Sequence, residues 1–328
     1  MLPFIIKRLL IYIPMLFLFS VVAFAIIQAP PGDYLTDYIA AMQAAGEHIN
    51  QSEVESLRER YGLGEPVYVQ YWKWFSGILV WDLGESLEWQ QPVTELVNSR
   101  LAMTVTLALF TIVFVWSMAI PIGIISAVKQ YSWIDNIFTT LSYIGVGTPN
   151  FVLALVIMWS AFYYFDLSVT GLFSNDMVDA PWSFAKVKDL LGHIWVPMLI
   201  LGTDGTARIT RIMRANLLDE LNKPYVETAR AKGLSEMKLM MKYPVRLAIN
   251  PLVSTVGWSL PQLFSGSLIV ATVMSLNTIG PLLLRALQSQ DFYMAGSILF
   301  ILTTLTLIGT LISDILLGVI DPRIRLEG

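Results

Sequence analysis

Ile194-Trp-Val-Pro-Met-Leu-Ile-Leu-Gly-Thr-Asp-Gly-Thr-Ala-Arg-Ile-Thr-Arg-Ile-Met-Arg-Ala-Asn-Leu217 starts as a membrane span and finishes as a charged helix. Its apolar run ends at Gly202, and Asp204, Arg208, Arg211 and Arg214 follow. Whether this stretch crosses a bilayer decides between five crossings and six, and so on which side everything after it lies. By hydropathy it is the weakest of six candidate spans. At roughly 20 apolar residues per crossing, the other five are Leu9–Ala29, Leu101–Val128, Ile134–Phe165, Pro251–Leu276 and Met294–Ile320. The third and sixth in chain order are longer than needed, which predicts tilt or protruding ends.

Composition points the same way. The 328 residues are 55% hydrophobic and 14% charged, with a mean hydropathy of +0.62. A soluble domain carries about 25% charged residues, so this is a polytopic all-α membrane protein. The absence of cysteine excludes disulfides, thiolate nucleophiles and cysteine-held metal or iron–sulfur sites. With two histidines, His48 and His193, histidine-based metal catalysis is not expected either. His48 reads as solvated and His193 as a boundary residue. Lys7, Arg8 and the small-x-small run Ala23-Phe24-Ala25 resemble a signal peptide. Leu9–Ala29 is nevertheless long enough to span and is expected to stay as a first helix.

The distribution of Lys and Arg resolves the weak fourth span. Lys7 and Arg8 precede span one, Lys129 separates spans two and three, and Arg323 and Arg325 follow span six. Nine further Lys/Arg lie between Arg208 and Arg246. All four clusters fall on one side, the cytoplasm, if six spans alternate and both termini are cytoplasmic. The opposite side carries Pro30–Asn98, with eleven Asp/Glu against three Lys/Arg. The chain then divides into 1–29 (N terminus and first span), 30–98 (an extracytoplasmic insert) and 99–328 (spans two to six, with a cytoplasmic loop at about 218–250).

Within the insert, Gln51–Tyr61 reads as a solvated helix stopped by Gly62 and Gly64. Tyr68–Trp81 is aromatic-rich and is expected to run as a helix at the membrane interface, where Trp and Tyr are favoured. Trp182–Leu191 is a possible surface helix in the second outer loop, Asp166–Gly192, and Asn277–Tyr293 reads as a short third loop.

Lys223–Arg246 is polar and helix-forming between two apolar regions. Pro224 suits a first helical position, and Gly233 suits a left-handed C-terminal cap. Ser235 is placed to cap a second short helix, with Glu236 near its positive end, and Pro244 obstructs continuation. Leu234, Met237, Met241 and Pro244 recur at i, i+3, i+7 and i+10 and predict one apolar docking face. The segment reads as a hinged connector.

No Lys is followed by Ser or Thr, so a phosphate-binding loop is missing, and the signatures of zinc proteases, serine hydrolases and dinucleotide folds are missing too. The chain is expected not to be an enzyme. Gly145-Val-Gly-Thr-Pro-Asn-Phe151 lies inside a span and predicts a kink or a close helix contact. Asp204 and Arg208 share a helical face and read as an ion pair, either in a polar pathway or gate or at a shallow cytoplasmic end. Asp314 is expected to bond to a basic residue near the cytoplasmic surface. Ser254, Trp258, Gln262 and Ser265 form a polar-aromatic stripe that either lines a water-filled pathway or joins helices.

Glu227-Thr-Ala-Arg-Ala-Lys-Gly233 resembles the cytoplasmic motif of the membrane permeases of ABC importers, in the dipeptide, oligopeptide and nickel family on the DppB/OppB side. Glu227, Ala229 and Gly233 fit, Thr228 replaces an alanine, and Tyr243-Pro-Val-Arg246 departs from the motif's second half. Lys7-Arg-Leu-Leu10, Pro31-Gly-Asp33, Leu57-Arg58 through Tyr61-Gly-Leu63, Asp82-Leu-Gly84 with Ser86, and Asp321-Pro-Arg-Ile-Arg325 match family landmarks in order, so the resemblance spans the chain. It implies six transmembrane helices of the importer-permease type in a bacterial or archaeal inner membrane. It also implies a second homologous permease, two ATP-binding subunits and an extracytoplasmic binding protein as partners, with no nucleic acid. ATP and magnesium would be held by partner subunits and no cofactor by this chain. Glu227, Ala229, Gly233, Leu234, Met237 and Met241 would couple ATPase motion to the spans. The implied cargo is a peptide, an oligosaccharide or a nickel chelate. An ion-coupled transporter or channel working without ATPase subunits is the alternative.

Overall fold

The computed structural model of the chain describes residues 2–30 and 64–320, with positions 35, 39, 54–56, 58, 59 and 62 between them; at 2, 254, 256–267 and 320 it describes the backbone alone. The described residues are overwhelmingly helical. Twelve α-helices are named in chain order: α1 (Leu2–Gln28), α2 (Val67–Leu79), α3 (Val93–Val128), α4 (Trp133–Gly147), α5 (Asn150–Phe165), α6 (Phe184–His193), α7 (Trp195–Leu221), α8 (Pro224–Ala231), α9 (Glu236–Lys242), α10 (Pro244–Val273), α11 (Ile279–Gln288) and α12 (Phe292–Ile320). Each of the six candidate spans falls on a long helix or, for the third, on a helix pair. Among the described residues, three helices are long and apolar enough to cross a membrane by themselves: Pro3–Gln28, Val93–Val128 and Phe292–Val319. The pair α4–α5 qualifies jointly. The charged half of α7 keeps it below that test, although 27 residues make a helix about 40 Å long.

The third span is not one tilted helix. α4 and α5 meet at 104°. Thr148 is extended (φ −97°, ψ 120°) and Pro149 heads α5, because the proline ring excludes the helical conformation for the residue before it. Just before the bend, Gly145 lies so close to α7 that a Cβ there would sit 3.1 Å from that of Ala207. The kink and the close helix contact therefore occur together.

The chain forms two compact units, one of residues 1–5, 104–277 and 308–328, the other of residues 6–103 and 278–307. The core of the first is built by α3, α7 and α10, with Val115, Ala119, Ile209, Met213, Leu217, Val245 and Leu252 buried together. Gly123 permits this packing, since a Cβ there would fall 2.7 Å from Met213 Cβ, as small residues let membrane helices approach closely. α4 is fastened to α7 by an ion pair that hydropathy does not reveal. Arg214 donates from Nε and Nη2 to Asp135 at 2.8 and 2.7 Å, and Asp135 is 1% exposed.

The second unit is organised on aromatic packing. Phe17 and Phe24 of α1 meet Tyr71, Trp74 and Phe75 of α2, and Phe292 and Phe300 of α12 join them. Trp74 is 2% exposed and its indole N–H donates to Ser297 Oγ at 3.3 Å. The aromatic helix is thus only partly a surface element: Tyr68 and Trp72 stay exposed while Trp74 forms a core. The segment read as a short third loop contains α11, whose Ile279, Leu282, Leu283 and Ala286 are buried. Trp182–Leu191 corresponds to α6. The helix expected over Gln51–Tyr61 falls largely outside the described residues.

Candidate functional site

The connector consists of α8, a four-residue turn (Lys232–Ser235) and α9. Pro224 opens α8 after an extended Lys223. Gly233 closes it at φ +78°, with its N–H donating to Arg230 O at 3.0 Å. A Cβ at Gly233 would meet nothing within 4 Å, so the glycine is needed for its backbone and not for space. Ser235 occupies the N-cap position of α9, but its hydroxyl makes no capping bond. The turn is instead bridged from outside: Arg230 Nε and Nη2 donate to Glu236 at 2.6 and 3.2 Å. This guanidinium holds the Glu236 carboxyl below the usual glutamate range.

Under the bridge lies a separate small core. Val226 and Leu239 are fully buried and Ala229 nearly so, with Tyr225, Leu234 and Tyr243 packed around them. Tyr225 also donates from its hydroxyl to Glu220 at the end of α7, at 2.6 Å. Burial, then this carboxylate, push the phenol's pKa up. At the other end Tyr243 leads directly into α10, whose first residue is Pro244. Buried apolar contacts at 3.6-residue spacing thus make α8 and α9 one body, continuous with α7 on one side and α10 on the other.

The predicted docking face is corrected by this arrangement. Leu234 turns toward the small core and Pro244 is buried as the start of α10. Only Met237 and Met241 remain as an exposed pair, at 75% and 55% exposure. The i, i+3, i+7, i+10 spacing assumed a continuous helix, and the proline interrupts it. Of the other motif residues, Glu227 is exposed and Ala229 is part of the core. Met237 and Met241 border an open groove of about 860 Å³, lined also by apolar residues of α3 and α4 including Ile125, Trp133 and Phe138. Unbranched, polarizable methionines adapt to the shape of what they touch.

Ser254, Trp258, Gln262 and Ser265 lie within α10, and their side chains are outside the described residues. Asp204 and Arg208 pair as the spacing predicts, with Nη2–Oδ2 at 2.9 Å. Asp314 lies within α12.

A second polar constellation escaped sequence reasoning. Asp291, fully buried just before α12, accepts from Ser86 Oγ at 2.5 Å, from the N–H groups of Leu87 and Glu88 at 2.9 and 3.3 Å, and from Met294 N at 3.1 Å. The Asp82-Leu-Gly84 landmark is therefore the rim of a loop tied to a carboxylate 205 positions away from Ser86. Burial raises the Asp291 pKa against those hydrogen bonds, with Ser86's the strongest of the opposing group. Arg285 adds an outer clasp on the same loop, reaching Glu88 at 2.9 Å. The signal available in the sequence was the run Asp82-Leu-Gly-Glu-Ser86 itself, because a buried serine in a tight turn requires a partner.

Residues 119–326 match the family model of the binding-protein-dependent transport system inner membrane component, and residues 1–108 match the N-terminal model of the same systems. The oligopeptide transport system permease protein AppB of Bacillus subtilis is 34% identical over 327 residues, covering 99% of this chain and 100% of that protein. The dipeptide transport system permease protein DppB of Alkalihalophilus pseudofirmus is 31% identical over 339 residues, covering 99% and 100%. The glutathione transport system permease protein GsiC of Escherichia coli O6:H1 is 30% identical over 325 residues, covering 99% of each. The chain belongs to the binding-protein-dependent transport system inner membrane component family, and it is a multi-pass, all-α membrane protein.

Proposed function

We propose that this inner membrane component is one permease half of an ATP-driven importer, passing peptides that an extracytoplasmic binding protein delivers. A second homologous permease completes the pathway. Two ATP-binding subunits, which hold the ATP and magnesium, drive it. The N and C termini are cytoplasmic and the 30–98 insert faces the binding protein, as the Lys/Arg asymmetry supports. The peptide cargo rests on the names of the relatives, which are an oligopeptide, a dipeptide and a glutathione permease.

The observation that carries the reading is the connector's construction. α8 and α9 share a buried core around Val226 and Leu239 while presenting Met237 and Met241 outward. A solvated loop needs no such core. A transmission element does, because closure of an ATPase pair moves the spans only if the piece it grips is stiff. Its ends run directly into α7 and α10, so a displacement at Met241 is delivered to two membrane helices.

Gly233→Val tests this. A left-handed valine costs on the order of 1–2 kcal/mol and re-aims α9. In proteoliposomes with all partner subunits, the variant is expected to insert and assemble normally but to lose most ATP-driven peptide uptake. Wild-type uptake by the variant refutes the coupling role. Activity of the purified chain without ATPase subunits refutes the importer reading as a whole.

A further inference from the structure

The pair Asp204–Arg208 lies in the middle of α7 and not at either of its ends. Arg214 binds Asp135 in the first turn of α4, directly after the turn that joins the second and third spans. Ten residues of α-helix separate Asp204 from Arg214, about 15 Å. Nine separate it from Trp195 at the other end of α7, about 14 Å. Asp204 thus lies near the midpoint of the Trp195–Arg214 stretch of α7, which is about as long as the hydrocarbon layer is thick, about 30 Å.

It is also open. The Arg208 side chain is 42% exposed and that of Asp204 24%, whereas Ile209, Met213 and Leu217 on the opposite face are buried against α3 and α10. Ionised side chains midway along a span are not left to lipid; they face a protein partner or a water-filled path. Arg211, one turn further along the same face, places its guanidinium 4.8 Å over the Tyr143 ring and has no carboxylate partner among the described residues. The open face of α7 therefore presents one carboxylate and two guanidiniums at helical spacing.

We propose that Asp204 and Arg208, supported by Arg211, form a transit site in the translocation path for cargo carrying both a free ammonium and a free carboxylate. This rests on the peptide reading above. A free peptide has both groups, and each must be accommodated while out of bulk water. Asp204 accepts hydrogen bonds from the ammonium, and Arg208 donates two to the carboxylate in the planar fork geometry of such pairs. With no cargo the two side chains satisfy one another at 2.9 Å, so neither charge is left bare between cycles. Cargo thus exchanges one internal ion pair for two external ones, and no proton need move.

The experiment uses the complete importer in proteoliposomes, with Arg208→Gln and Asp204→Asn variants. The cargo is a dipeptide, its C-terminal amide and its N-acetyl form, chosen so that the binding protein holds all three with similar affinity. Arg208→Gln is expected to raise the uptake KM for the free dipeptide at least tenfold and to leave the amide within twofold of wild type. Asp204→Asn is expected to do the same, sparing the N-acetyl form. Stimulation of ATPase activity by loaded binding protein should persist in both, which separates cargo passage from coupling. If a variant loses free and blocked peptides in equal proportion, the pair is only structural and the site is refuted. Unchanged uptake of the free dipeptide refutes it as well. If the wild-type importer takes up none of the three, the parent peptide reading fails first and the site loses its cargo with it.

Discussion

Gly84 and Gly233 hold nearly the same left-handed backbone, φ +76° and +78°, in loops with opposite surroundings. A Cβ on Gly84 would lie 2.7 Å from the Tyr293 ring; one on Gly233 would meet nothing within 4 Å. The loop of Gly84 closes over Asp291, which is 0% exposed and holds four donors. The loop of Gly233 closes over three buried apolar side chains and leaves methionines outside. One is anchored against movement from within; the other is stiff inside and accessible outside. A turn locked from within and a turn with an exposed edge can therefore share a backbone, and their neighbours tell them apart.

The same substitution in both places sharpens the contrast. Gly84→Ala carries the left-handed penalty of about 1–2 kcal/mol together with an overpacking cost of about 1–3 kcal/mol against Tyr293. Its expected effect is a loss of thermal stability in the assembled complex of a few kcal/mol, measured by unfolding in detergent. Gly233→Ala carries the same backbone term alone, about 1–2 kcal/mol, and should lower the unfolding midpoint by clearly less while slowing ATP-driven uptake. Equal effects of both on stability would mean that Gly233 is packed in the working complex.

Next in size is Asp291→Asn. The amide keeps one oxygen as acceptor, but its NH₂ faces the N–H groups and the hydroxyl that the carboxylate accepted from. A buried donor left unpaired costs about 1–3 kcal/mol, so destabilisation of about 2 kcal/mol is expected. Hydrogen exchange at Leu87 and Glu88 should rise in step, while exchange in α8 and α9 stays as in wild type. If α8 and α9 loosen too, the two loops are energetically coupled and the contrast between them is false.

Much of this architecture was readable from the chain, for physical reasons that vary with the element. Bilayer thickness writes itself into long apolar runs, so α1, α3 and α12 could be found from hydropathy. Pro224, Gly233 and Pro244 act through their own backbones, so the connector's punctuation survived translation into structure. The bend at Thr148–Pro149 was announced by its residues, but its size, 104°, was not. α11 was missed because its ten residues are too short for a span and its amphipathic pattern resembles a loop beside one. Asp291 and Asp135 were missed because their partners, Ser86 and Arg214, are 205 and 79 positions away. Nothing local in a sequence reports which distant donor a buried acid will find. The docking face failed for the converse reason: helical spacing was carried through Tyr243 into Pro244, where one helix had stopped and another begun.

The smallest expected effect belongs to Glu236→Gln, and its smallness matters. The Arg230–Glu236 bridge is exposed at both ends, with side-chain exposures of 52% and 64%, and such pairs contribute little in water. Arg230 lowers the Glu236 pKa, so whatever the pair contributes is present above the ordinary glutamate range and disappears as pH falls through the lowered value. At neutral pH the variant should unfold close to the wild-type midpoint, and the remaining difference should vanish at high salt, where exposed charges are screened. Uptake should follow the same pattern. A large, salt-insensitive loss would mean that the bridge, and not the Val226–Leu239 core, keeps α8 and α9 in one piece. The connector would then be stiff only where solvent can reach it, and the distinction drawn from Gly84 and Gly233 would have to rest on charge instead of packing.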